Sequence, residues 1–141
     1  MKSVLSILSV LVMVACSTKN SGKDETNSKE WKEMDSFHMI MAESFHPYKD
    51  SANLAPAKTL AKEMTDEAAK WASATLPEKV DNDEIKANIQ NLNKGSQGFL
   101  KLVNENAPDS VLGKSLTDLH NLFHKIQEGW YEGEEEKHEH H

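Results

Sequence analysis

Residues 81–106 read DNDEIKANIQNLNKGSQGFLKLVNEN. Ile85, Ile89, Leu92, Ser96, Phe99 and Val103 recur there at spacings of three and four, with polar residues between them. A repeat near 3.6 puts them on one side of an α-helix. Asp81 is placed to cap the N-terminus, with Glu84 three residues on in capping-box spacing. A helix over about 82–104 with a single apolar stripe must bury that stripe against other helices.

The neighbouring segments supply those helices. Residues 110–131, beginning near Asp109, carry Leu112, Leu116, Leu119, Phe123, Ile126 and Trp130 at helical spacing. Residues 54–75 carry Leu60, Met64, Ala68 and Trp71, with Asn53 as the cap and Pro56 in the first turn, where proline is tolerated. Pro77 follows the end of that helix. Residues 29–46 carry Trp31, Met34, His38, Met41 and Phe45, and Pro47 is expected to stop the helix. No segment alternates as a strand would. Short links between helices of similar length predict an all-α domain over residues 29–131, an antiparallel up-down four-helix bundle. Gly95, Gly98 and Gly113 fall inside helices, each at a cost of about 1 kcal/mol against Ala.

Beyond this domain the chain changes character. Lys2 precedes an apolar run, Val4 to Val14, that is too short to span a bilayer and has the length of a signal-peptide core. It ends in Val12-Met13-Val14-Ala15-Cys16-Ser17, which resembles the lipobox of bacterial lipoproteins. The resemblance implies a signal peptide over residues 1–15, cleavage before Cys16 and acylation of that cysteine. The chain is then held to a membrane by its lipid, since each buried methylene adds about 0.8 kcal/mol. Ser17 is unlike an inner-membrane retention residue, so the expected location is the cell envelope, at the outer membrane, facing the periplasm or the cell surface. Residues 16–28 would be the lipidated Cys and a flexible tether, rich in Ser, Lys and Asn. Residues 132–141, EGEEEKHEHH, form an acidic tail that contains histidines.

Composition narrows the function further. Cys16 is the only cysteine, so disulfides, thiolate sites and a Cys-x-x-Cys-His haem attachment are excluded. A formal charge of −7 argues against nucleic acid as partner and suits cations. No nucleophile–base pair suggests an enzyme.

The histidines carry the chemical information. His120 and His124 are four residues apart, which places both imidazoles on one helix face, about 6 Å apart at Cβ. Two imidazoles so placed can grip one metal ion. The spacing lacks the glutamate of a His-Glu-x-x-His protease, since Asn121 stands in its place. His38 occupies a stripe position between Met34 and Met41. If the first and fourth helices run antiparallel with Glu30 level with Tyr131, His38 falls level with Phe123 and His124, and Met41 level with His120. His38, His120 and His124 then converge, with Met41 as a fourth ligand and His46, at the expected end of the first helix, as a further one. Histidine with thioether favours copper, as Cu(I), while zinc or nickel would use the imidazoles with Glu43. His138, His140 and His141 in the tail form a loose ion-binding tract.

The layout from Leu60 to Tyr131 also resembles the four-helix-bundle cytochromes of the bacterial periplasm, of the b-type and c-prime-like kinds. Phe123-His124-Lys125-Ile126 stands where those that hold haem non-covalently place their late histidine, and His38 or Met41 near their methionine. The resemblance implies haem b, held by His124 with His38 or Met41, in an electron carrier. Three expectations follow. The favoured one is a lipoprotein that binds copper or zinc as buffer, chaperone or sensor; the others are a haem-b carrier and a structural or interaction module with no ligand.

Overall fold

The computed structural model describes residues 30–135, with side chains to residue 132. The expected signal peptide, Cys16, the tether and the tail histidines His138, His140 and His141 lie outside the described residues. Within them the chain forms four helices: α1 Lys32–Ser51, α2 Ala55–Ser73, α3 Asp83–Asn104 and α4 Asp109–Glu135. A 3-10 turn at Glu78–Val80 joins α2 to α3. Contacts between them show an antiparallel bundle. Across α1 and α4, Trp31 meets Trp130 and His38 meets Phe123, while Phe45 meets His120, so numbers rise on one helix as they fall on the other. Across α2 and α3, Thr65 donates to the Ser96 carbonyl (3.0 Å) and Gln90 to the Ala72 carbonyl (3.1 Å).

The helix boundaries follow local chemistry, with three departures from expectation. The first is α1, which does not stop at Pro47 but runs to Ser51. Proline removes only its own N–H from the ladder. Phe45 and Tyr48, in ring contact at 6.1 Å, pack on either side of it. The end is closed by Ala52 in the left-handed region (φ 55°). There the Ala52 and Asn53 N–H groups donate to the Tyr48 and Pro47 carbonyls at 2.8 and 3.1 Å. The second departure is the α3 cap. Asn82, not Asp81, accepts from the Ile85 N–H at 2.9 Å, and Asp81 instead pairs with Lys86 at 2.6 Å. The third is α4, which begins with Asp109 already in its first turn and paired to Lys58 at 2.8 Å, and which extends to Glu135. Asn53 behaves as expected: its side chain accepts from the Ala55 N–H at 3.1 Å.

The core is apolar and rich in aromatics. Trp31, Phe37, Trp71, Phe123 and Trp130 are all at most 2% exposed and touch one another in a chain of ring contacts 5.0–6.3 Å long. Helix α2 turns Ala57, Ala61, Met64, Ala68 and Trp71 inward, while Leu60 sits half-buried at the edge. Small alanines along that face let α2 approach its neighbours closely. Ser96 occupies its stripe position, fully buried, and donates to the Leu92 carbonyl at 2.9 Å. No described helix is long and apolar enough to cross a membrane.

Two helical glycines, one on α4 and one on α3, differ in what surrounds them. A Cβ at Gly113 would stand 2.6 and 2.8 Å from ring carbons of Tyr48, so the glycine lets the tyrosine lie against the α4 backbone. At Gly98, on the exposed side of α3, a Cβ would meet nothing within 4 Å.

Candidate metal-binding seam

Helices α1 and α4 share the thinnest of the interfaces between adjacent helices. The four histidines of the described residues, His38, His46, His120 and His124, all lie on these two helices. On α4, His120 and His124 sit half-buried one turn apart, with ring centroids 4.4 Å apart and ring planes at 79°. Their Nε2 atoms are 3.1 Å from each other. The His124 Nδ1 lies 3.1 Å from Gln127 Oε1. A carbonyl oxygen only accepts, so Nδ1 holds the proton and donates. The Nε2 of His124 is thereby left to accept, and His120 donates its Nε2–H across the 3.1 Å contact.

Phe45 of α1 fixes the other ring. It lies flat on His120, with centroids 3.7 Å apart and 14° between planes. His120 is held below the ordinary imidazole pKa of 6.5, first because partial burial strips water from the charged form, then by the neighbouring His124. The hydrogen bond that the His120 ring donates to Asn121 acts in the opposite direction, and the charges of His46 and Lys49 on α1 add to the depression. The neutral imidazole, the form that ligates metal, is therefore favoured at His120.

The pairing of the two helices is close to that expected from the sequence. His38 does lie level with Phe123, its ring stacked at 5.2 Å and 17°. Phe45 rather than Met41 reaches His120. His38 is not a core residue, however. Phe37 and Ile40 take the buried positions that its spacing suggested, and His38 is exposed at the rim. A phenyl ring enters the core at no polar cost, whereas an imidazole must find partners for two nitrogens. Met41 and Met64 are enclosed in the apolar core, at 1% and 0% exposure, and His46 is exposed on α1. Among the described residues no three His, Cys, Asp or Glu side chains stand close enough to hold an ion together. What is assembled is the α4 pair, with His38 and His46 apart from it on α1.

The interior between α1 and α4 does not fit a haem. Phe37, Trp71 and Phe123 fill it in mutual contact at 5.8–6.3 Å, so a porphyrin plane would have to displace them. Clefts of about 400 and 480 Å³ on the described surface are not lined by a histidine. Gln127 is the contributor that sequence reasoning missed. Its position three residues after His124 is the available sign, since side chains so spaced meet on a helix.

Compared with known protein families, curated proteins and solved structures, this chain matches none. The class of the molecule accordingly rests on its own geometry: a four-helix bundle with two paired imidazoles at its thinnest seam.

Proposed function

We propose that this protein is a lipid-anchored protein of the bacterial cell envelope that binds a transition-metal ion, copper or zinc, through His120 and His124. The observation that carries the reading is the Nε2–Nε2 distance of 3.1 Å. Two nitrogens each about 2.0–2.1 Å from one tetrahedral ion lie roughly 3.3 Å apart, so the pair stands almost at ligating separation. The Gln127 contact supports it, because ligating histidines characteristically donate their second ring N–H to an oxygen. A half-exposed site with open coordination positions suits exchange of the ion, the work of a buffer, chaperone or sensor, better than permanent structural binding. The lipobox resemblance at Cys16 supplies the anchor, with the outer membrane as its location.

The test is thermal melting of detergent-solubilised protein carrying His138→Ala, His140→Ala and His141→Ala, with and without Cu(II) or Zn(II). An ion present at about 100 times its dissociation constant stabilises by roughly 2.7 kcal/mol. Loss of the upshift on His120→Ala and on His124→Ala is expected; an equal upshift in both variants contradicts the site. The Cys16→Ser chain is expected to leave the membrane fraction, and retention there contradicts the anchor.

A further inference from the structure

Residues 37–41 read Phe-His-Met-Ile-Met, with two thioethers two residues apart on α1. At 3.6 residues per turn, positions two apart leave a helix on well-separated sides. Met41 enters the core and is 1% exposed, whereas Met39 is 74% exposed. Met34 and Met64, at 4% and 0%, share the burial of Met41. The described residues include no cysteine, so Met39 carries the one sulfur among them that stands in solvent.

Thioether chemistry gives that difference a consequence. The sulfur lone pair attacks one oxygen of a hydroperoxide. An S–O bond forms and the O–O bond breaks. The sulfur is oxidised by two electrons to the sulfoxide, and the departing oxygen keeps the electron pair and takes up the peroxide proton. The peroxide is thereby reduced to an alcohol, or to water where it is hydrogen peroxide. The oxidant must reach the sulfur itself, so burial shields a thioether. The product discriminates too, because a sulfoxide is polar and disrupts a core. At Met34, Met41 or Met64 its oxygen would be enclosed among apolar side chains, which is costly without a hydrogen-bond donor. At Met39 it faces water, and the residues four positions away on the same helix face, Asp35 and Glu43, are themselves exposed and polar.

From the opposite burial of two methionines in one five-residue stretch, we infer that Met39 is a methionine-oxidation site, converted to the sulfoxide by hydroperoxides while the bundle stays folded. The inference is independent of the metal reading, in which Met39 has no part.

The experiment treats the detergent-solubilised full chain with hydrogen peroxide and quenches it at intervals. Mass spectrometry of tryptic peptides follows the gain of one oxygen, with fragment ions separating Met34, Met39 and Met41 within their shared peptide. In the folded protein Met39 is expected to convert at least roughly tenfold faster than Met34, Met41 and Met64. In concentrated urea the four rates should converge, because all four sulfurs then meet solvent. Circular dichroism of protein converted at Met39 alone should keep its helical signal and its cooperative melt. In Met39→Leu the fast phase should vanish from these four positions. Comparable rates at Met39 and a buried methionine in the folded protein would overturn the inference, as would a tenfold preference that persists in urea. Loss of the cooperative melt on conversion of Met39 alone would also overturn it.

Discussion

Trp31 and Trp130 meet across α1 and α4 at 5.4 Å; two turns further along α1, the same interface is made of His38 on Phe123, and beyond it Phe45 on His120. Both stretches are aromatic, yet they are built for different ends. At the indole end everything is sealed. Trp31 and Trp71 pack edge to face at 82°, and neither indole N–H has a hydrogen-bond partner among the described residues, while Lys79 lies over the Trp130 ring at 3.0 Å. At the imidazole end one ring of each stack can ionise and reaches the rim. Burial of large apolar rings supplies stability, and leaving nitrogen lone pairs at an edge gives up some of that burial for chemistry. One helix pair thus holds the fold at one height and brings imidazoles to its rim at another.

The largest effect that separates the two regions should come from Trp71→Ala. Removing a fully buried indole that touches Trp31, Phe37 and Phe123 is expected to cost roughly 3–5 kcal/mol. Chemical denaturation measures this. The molecules that remain folded should still take up metal, because His120 and His124 touch Phe45 and Phe123 rather than Trp71. A loss of metal binding in the folded fraction would show that the two regions are not separable.

A smaller effect tests how the seam is closed. Gly113→Ala drives a methyl group into the Tyr48 ring and is expected to destabilise by roughly 1–3 kcal/mol. Gly98→Ala meets open space and should stabilise by about 1 kcal/mol, the helix-propensity difference. Equal effects of the two substitutions, measured by denaturation, would mean that Tyr48 does not set the distance between α1 and α4.

Much of this was legible in the sequence, and the exceptions have physical causes. The stripe from Ile85 to Phe99 predicts α3 because no competing polar residue interrupts it except Ser96, which satisfies itself on the Leu92 carbonyl. The height of His38 against Phe123 was legible because antiparallel neighbours of equal rise keep their levels. Its exposure was not, since Phe37 and His38 both fit a spacing of three or four from Met34, and only desolvation decides between them. The helix through Pro47 was hidden as well. Its continuation brings Tyr48 against Gly113, a contact between positions far apart in sequence. The facing Nε2 atoms and the Gln127 contact depend on rotamers, which spacing alone leaves open.

The smallest effect concerns protons in the metal-free protein. Around His120 stand His124 and Asn121 of α4 with His46 and Lys49 of α1, and the net result is a folded-state pKa below 6.5. The native state therefore prefers the neutral ring. The stability this contributes is present above the unfolded value of about 6.5 and is lost as pH falls through the lowered folded value. Melting temperatures between pH 7.5 and 5 should fall less steeply in His120→Gln than in the unaltered protein. Parallel slopes would remove the burial of His120 as a cause.

The most direct test of the central claim is to watch the imidazole nitrogens themselves. Long-range proton–nitrogen correlation NMR of the ¹⁵N-labelled, detergent-solubilised protein, titrated with Zn(II), reports each histidine ring separately. The predicted result is that the Nε2 resonances of His120 and His124 move together to the metal-bound range and saturate with the same curve, while Nδ1 of His124 keeps its proton to Gln127. A titration that moves only His138, His140 and His141, leaving the α4 pair in place, would contradict the seam as a metal site.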